Sequence, residues 1–244
     1  RSATKITKKI IQTGKKLRVL GRAGIGVDNI DIDSATNNGI VVMNTPFGNS
    51  ITTAEHTISL MMSLARNIPQ ASKSTKEGKW EKSKFMGTEL FGKTLGMIGC
   101  GNIGSLVVER CLGLKMKVFV FDPFLSKDQT EKIGAKKVEL EEILINSDFI
   151  TLHTPLTDKT KGILNKNNLS KCKDNVKIIN CARGGLIVEE DLIELMNQDK
   201  ISGAALDVFS EEPPTNKKLL NVDNLILTPH LGASTSEAQE NVAI

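Results

Sequence analysis

Three short runs carry polar side chains in settings that suit chemistry better than packing. The run INCARGG at 179–185 ends an apolar stretch in Arg183 and two glycines. The run LDVFSEEPP at 206–214 puts Asp207 at the end of another apolar stretch and Glu212 in the loop beyond, which prolines stiffen. The run LTPHLGA at 227–233 puts His230 after a third. If these stretches are parallel strands of one open sheet, all three runs lie at its carboxyl edge, where such sheets bind ligands. An Arg, a carboxylate and a His at that edge suit a reversible hydride transfer from a hydroxyl. The His takes the hydroxyl proton near neutral pH, and a neighbouring carboxylate orients the ring and stabilises the imidazolium. The Arg grips a substrate carboxylate through two parallel hydrogen bonds and polarises the developing carbonyl. Singly, each has a plainer reading: a packed His after a proline, a solvated Glu-Glu-Pro-Pro turn, an Arg in a surface ion pair.

A hydride needs an acceptor, and the run GCGNIG at 99–104 offers a place for one. The apolar run TLGMI at 94–98 leads into Gly99, a helix-like apolar stretch follows over 102–112, and Asp122 closes the next strand at 117–121. Gly99 permits the tight turn, Gly101 lets a pyrophosphate approach the backbone, and Gly104 lets the helix pack on the strand. The free N–H groups and dipole of the helix start bind phosphates. Asp122 can accept from both adenosine ribose hydroxyls and repels a 2′-phosphate, so the expected cofactor is NAD rather than NADP.

The elements that must position these groups follow a regular rhythm. Strands are expected at 18–20, 40–44, 94–98, 117–121, 149–152, 176–180, 204–208 and 225–227. Helices are expected at 52–66, 102–112, 127–133, 139–146 and 189–197. Strands separated by helix-length segments predict an α/β fold with a Rossmann-type, doubly wound parallel sheet. The 52–66 helix is expected to stop at Pro69, leaving 70–92 as a connection. Its Leu60, Met61, Met62 and Leu64 occupy more than one face, as in a helix buried in a subunit interface as well as a core, so a homodimer is expected. His56, inside this helix, reads as a packing or interface residue. His153 reads as a neighbour of the cofactor without chemistry of its own.

Composition narrows the partners. The net charge of +4, from 32 basic and 28 acidic residues, is spread along the chain and does not imply nucleic acid. No apolar run approaches the roughly 20 residues that span a membrane. The four cysteines form no CxxC pair, so buried free thiols in a cytoplasmic setting are expected and a metal site is not.

The loop at 99–104, with NCARGG at 180–185, DVFSEEP at 207–213 and PHLGAST at 229–235, resembles the D-isomer-specific 2-hydroxyacid dehydrogenase family. The resemblance runs over essentially all of the chain. GRAGIGVDNID at 21–31, NTPFGNS at 44–50 and FMGTEL at 85–90 are similar to its branch acting on a phosphorylated substrate. It implies NAD-linked interconversion of a small phosphorylated 2-hydroxy acid and its 2-keto acid. Arg183 would bind substrate, Glu212 would support the His, and His230 would be the acid–base. Cofactor contacts would fall on Asn102, Ile103, Asp122, Thr154, Cys181, Ala182, Asp207, Gly232 and Ala233. Arg1, Arg22 and Asn49 match positions near the substrate phosphate. It also implies a cofactor domain at 45–228, a partial substrate domain from 1–44 and 229–244, and a protein longer at both ends. Two rival readings share these motifs: a hydroxypyruvate or glyoxylate reductase, and an NAD-sensing co-repressor of the same fold.

Overall fold

The computed structural model describes residues 4–242. The chain divides into two compact units, one reaching to Thr52 and resuming with the tail from Ala233, the other Thr53–Gly232. In the first, helices α1 (Lys8–Thr13) and α2 (Ile32–Asn37) accompany strands β1 (Val19–Arg22) and β2 (Val41–Asn44), which pair in parallel. A small core of Ile11, Ala35 and Ile40 holds them. Helix α3 (Ser50–Ala65) carries the chain into the second unit. The unit boundaries fall inside α3 and just after Gly232, whereas the sequence reading drew them at 44/45 and 228/229.

The second unit is built on seven parallel strands. In chain order they are β3 (Thr94–Ile98), β4 (Lys117–Phe121), β5 (Lys136–Lys137), β6 (Phe149–Leu152), β7 (Val176–Asn180), β8 (Ile201–Leu206) and β9 (Leu225–Leu227), and in space they run β5-β4-β3-β6-β7-β8-β9. The central strands are almost wholly apolar because helices cover both faces. Alternate residues feed opposite cores: Ile178 of β7 joins Ile98, Leu152 and Leu206 on one face, while Ile179 joins Leu95, Met97 and Val120 on the other. Helices α5 (Asn102–Gly113), α7 (Leu140–Asn146) and α9 (Glu189–Asn197) pack on these faces, with the short α6 (Lys127–Lys132) and α8 (Lys166–Leu169) between them in the chain. Acidic Glu189, Glu190 and Asp191 crowd the first turn of α9, where they complement the helix dipole.

The structure corrects one stretch of the sequence reading. The chain turns at Asn67, in the left-handed region, and starts a new helix, α4 (Ile68–Lys76), with Pro69 in its first turn. A proline there forfeits no helix hydrogen bond, because first-turn N–H groups have no partner inside the helix. The segment 70–92 therefore holds most of α4 and the short turn Lys82–Phe85 rather than a bare connection. Strand β8 also begins earlier than expected, at Ile201. Gly203 within it is a site of close packing: a Cβ there would lie 2.6 Å from Asn224 Nδ2 and 2.9 Å from Leu64 Cδ1.

Gly96 sets how closely β3 approaches α7. A Cβ at Gly96 would stand 2.2 Å from Ser147 Oγ and 2.7 Å from Ile143 Cγ2. Gly96→Ala is expected to cost about 1–3 kcal/mol by overpacking, read as a lower urea midpoint. An unchanged midpoint would show that α7 can move off the sheet freely.

Candidate active site

Parallel register aligns the strand ends. Phe121, Ile98, Leu152, Asn180, Leu206 and Leu227 are successive register partners from β4 to β9. The chain thus leaves the sheet along one edge at Asp122, Gly99, His153, Cys181, Asp207 and Thr228. The sequence-predicted site residues of this unit lie in the segments that start there.

The glycine loop joins β3 to α5. Gly99 has φ +84°, and a Cβ on it would lie 2.7 Å from the His153 carbonyl oxygen and 2.9 Å from Thr154 Cβ, so glycine is needed twice over. Gly101 caps α5, and a Cβ built on it meets nothing within 4 Å, which leaves the helix start open to a ligand. Asn102, Ile103 and Gly104 form the first turn, with Gly104 packed against the Gly99 carbonyl and Met97. Asp122 reaches back to this loop: its Oδ2 accepts from the Cys100 N–H at 2.8 Å and its Oδ1 from the Phe124 N–H at 2.8 Å. Each oxygen keeps a further lone pair for a hydroxyl.

The neighbouring thiols are not nucleophiles. Burial, reinforced by the Asp122 charge, pushes the Cys100 thiol up to about 11, and burial pushes Cys181 up to about 12. His153 follows β6 and shares a hydrogen bond with Thr151 Oγ1 at 3.1 Å; burial pushes its pKa down to about 4, so it is neutral at physiological pH.

Beyond β7, the buried Asn180 shapes the turn that carries Arg183. Its amide donates to the Arg183 carbonyl at 2.9 Å and its oxygen accepts from the Ala182 N–H at 3.0 Å. A Cβ on Gly184 would sit 1.8 Å from the Phe209 carbonyl oxygen, so this turn is wedged against the loop that carries Glu212. That loop is fixed twice more: Glu189 accepts from the Ser210 N–H at 2.7 Å, and Glu212 Oε1 accepts from the Phe209 N–H at 3.2 Å. Glu212 Oε2 then meets His230 Nδ1 at 2.8 Å.

His230 has φ +53°, a left-handed conformation unusual for a residue with a side chain. Such residues persist where surrounding contacts over-determine them, at a cost of about 1–3 kcal/mol. The contacts come from Asp207, whose side chain is fully buried. Its Oδ1 accepts from Thr228 Oγ1 at 2.5 Å and the Leu231 N–H at 2.7 Å, and its Oδ2 from the Gly232 N–H at 2.7 Å. His56 Nε2 lies 3.2 Å from Oδ1. Burial pushes the Asp207 pKa up, but hydrogen bonds from His56, Thr228 and the Leu231 N–H outweigh it and hold the carboxyl below its ordinary value.

The structure therefore joins Glu212 to His230, Asp207 to the backbone of Gly232, and Asp122 to the glycine loop. Arg22 ends β1 opposite Asn44, Asn49 immediately precedes α3, and Ala233 opens the tail, all in the first unit. Arg1 lies outside the described residues. Sequence reasoning missed His56 as a partner of Asp207. The available signal was Thr53, His56 and Thr57 at helical spacing, in line with the apolar Leu60, Met61 and Leu64 on the same side of the helix.

Comparison with known proteins bears on this geometry. The family model described as D-isomer specific 2-hydroxyacid dehydrogenase, NAD binding domain, matches residues 58–232. The chain is 52% identical, over 243 residues, to D-3-phosphoglycerate dehydrogenase of Bacillus subtilis, covering 100% of this chain and 46% of that protein. It is 52% identical over 239 residues to the Homo sapiens enzyme of the same name, covering 98% and 45%. The chain thus spans about half the length of the curated relatives it matches. Among solved structures, D-lactate dehydrogenase from Aquifex aeolicus, complexed with NAD and lactic acid, aligns with TM-score 0.89 at 30% identity, covering 98% of this chain and 76% of that one.

An asparagine at 207 has one acceptor oxygen and cannot serve both backbone N–H groups, so Asp207→Asn is expected to cost about 1–3 kcal/mol at neutral pH. Because the folded carboxyl titrates below its unfolded value of 3.8, its contribution is complete above that value and is lost as pH falls through the folded one. Urea titrations from pH 7 down to 3 should show the wild type losing more stability on acidification than the variant. Parallel losses would refute the assignment.

Proposed function

The chain belongs to the D-isomer specific 2-hydroxyacid dehydrogenase family, and on that premise we propose that the whole protein oxidises 3-phospho-D-glycerate to 3-phosphohydroxypyruvate with NAD, the entry step to L-serine synthesis. The observation that carries the reading is the 2.8 Å contact between Glu212 Oε2 and His230 Nδ1, on the sheet edge from which Arg183 also projects its turn. The identity to D-3-phosphoglycerate dehydrogenases supports the choice of substrate.

The residues present fit the dinucleotide. Gly101 leaves room at the start of α5, where Asn102, Ile103 and Gly104 offer backbone N–H groups to a pyrophosphate, and Asp122 stands ready for the ribose hydroxyls. Thr154, Cys181, Ala182, Asp207, Gly232 and Ala233 are the further contacts we assign to it. NAD, when bound, supplies the hydride acceptor. With Nδ1 held by Glu212, His230 has Nε2 left to take the proton of the substrate hydroxyl and to return it in the reverse reaction. Glu212 fixes the ring and stabilises the imidazolium. Arg183 binds the substrate carboxylate with its planar fork, which Lys cannot reproduce. Arg22 and Asn49, with Arg1, are assigned to the substrate phosphate.

The active form we propose is a homodimer or a larger assembly of identical subunits. Trp80, Met86 and Phe91 are 86%, 84% and 72% exposed within a few residues of one another in sequence, and a second copy would cover them. No helix among the described residues is long and apolar enough to cross a membrane. A cytoplasmic location, with no nucleic-acid or membrane partner, completes the reading.

Purified whole protein should reduce NAD with 3-phospho-D-glycerate and prefer NAD to NADP in kcat/KM. His230→Ala should lower kcat by about 10²–10⁴, and Arg183→Lys should forfeit much of the activity. Equal turnover of unphosphorylated 2-hydroxy acids would favour the reductase reading. NAD binding without turnover would favour the co-repressor reading.

A further inference from the structure

One stripe of α3 faces the active edge. Thr53, His56 and Thr57 stand three and four residues apart, so they share a side of the helix, and the stripe continues into buried Leu60, Met61 and Leu64. Two of the three polar residues reach the segments that follow β8 and β9. The Thr53 hydroxyl donates to the Gly232 carbonyl at 2.9 Å. His56 Nε2 lies 3.2 Å from Asp207 Oδ1 and 3.4 Å from Thr228 Oγ1. Thr57 is buried, its hydroxyl donating to the Thr53 carbonyl at 2.9 Å, and the apolar residues of this helix share a core with Cys181. The helix therefore touches the segments after β8 and β9, which carry Glu212 and His230, and shares a core with the start of the segment after β7, which carries Arg183.

The contact of His56 falls on the group that shapes the His230 turn. The terminal torsion of an aspartate is broad, so a buried carboxylate keeps one orientation only when donors surround it. The Leu231 and Gly232 N–H groups come from one side of sequence, and His56 approaches from a separate helix. An imidazole N–H there holds the carboxylate against rotation and so holds the backbone on either side of His230.

We propose that His56 is a positioning residue: its Nε2–H donates to Asp207, and through Asp207 it keeps the 228–232 turn in the geometry that places His230 against Glu212. The proposal rests on the reading of His230 as the acid–base. Displacement of a reacting group by an ångström costs on the order of a hundredfold, so a partial loosening of this turn lowers kcat by a larger factor than it weakens cofactor binding, in which Asp207 and Gly232 are two of many assigned contacts.

The test uses the whole protein with His56→Leu and His56→Gln. Leu keeps the bulk and removes the donor, whereas Gln reaches a similar distance with an uncharged N–H. His56→Leu should lower kcat about tenfold or more, a larger factor than the accompanying rise in the NAD dissociation constant. His56→Gln should recover most of the loss. Amide hydrogen exchange gives a readout independent of turnover: Leu231 and Gly232 should exchange faster in His56→Leu and near the wild-type rate in His56→Gln. Unchanged kcat and protection in His56→Leu would overturn the proposal. So would a His56→Gln protein as impaired as His56→Leu, a loss of kcat no larger than the loss of NAD affinity, or faster exchange spread evenly over the sheet. If the wild type turns over no 3-phospho-D-glycerate, the dehydrogenase reading fails, and the exchange rates still decide whether His56 holds the turn.

Discussion

Asp207 is a carboxylate taken out of water and surrounded by donors: the Thr228 hydroxyl, the N–H groups of Leu231 and Gly232, and the His56 imidazole. A buried charge is tolerated only when its lone pairs are met, and here the chain that meets them is the chain that carries His230. The interaction runs both ways. The turn solvates the carboxylate, and the carboxylate holds His230 in a left-handed backbone it would not adopt alone. From this turn the imidazole meets Glu212 at 2.8 Å.

The sheet supplies the other half of the geometry. Six strands in parallel register end together, so residues far apart in sequence leave the sheet along one line. Glycines then set the spacing between the segments that follow. Gly99 passes under His153 and Thr154, and Gly184 lies against the Phe209 carbonyl so closely that no Cβ fits. Charged groups finish the work locally: Asp122 braces the glycine loop, and Glu189 braces the loop of Glu212. Backbone shape and side-chain charge are thus divided between residue types suited to each.

Much of this was legible in the residues. The strands at 94–98, 117–121, 149–152, 176–180 and 225–227 were read to the residue, because buried parallel strands are short β-branched runs with sharp polar ends. The glycine loop was legible because each glycine has a separate mechanical reason. What escaped depended on packing from elsewhere in the chain. Pro69 looks the same in sequence whether it ends one helix or begins another, and only Asn67 in a left-handed turn decides it. The strand expected at 204–208 begins instead at Ile201 and runs through Gly203, where Asn224 and Leu64 press on it. The helices Lys166–Leu169 and Lys217–Leu220 are too short to show a period. His56 carries no motif, and its meaning appears only when α3 is laid beside the strand ends.

Isotopic transfer tests most directly the proposed removal of a hydride from a phosphorylated 2-hydroxy acid at this site. The whole protein would be incubated with NAD and 3-phospho-D-glycerate deuterated at C2, and the cofactor recovered for mass spectrometry. One deuterium is expected on the reduced nicotinamide for each molecule of keto acid formed. Intact binding of NAD with no deuterium transferred would contradict it.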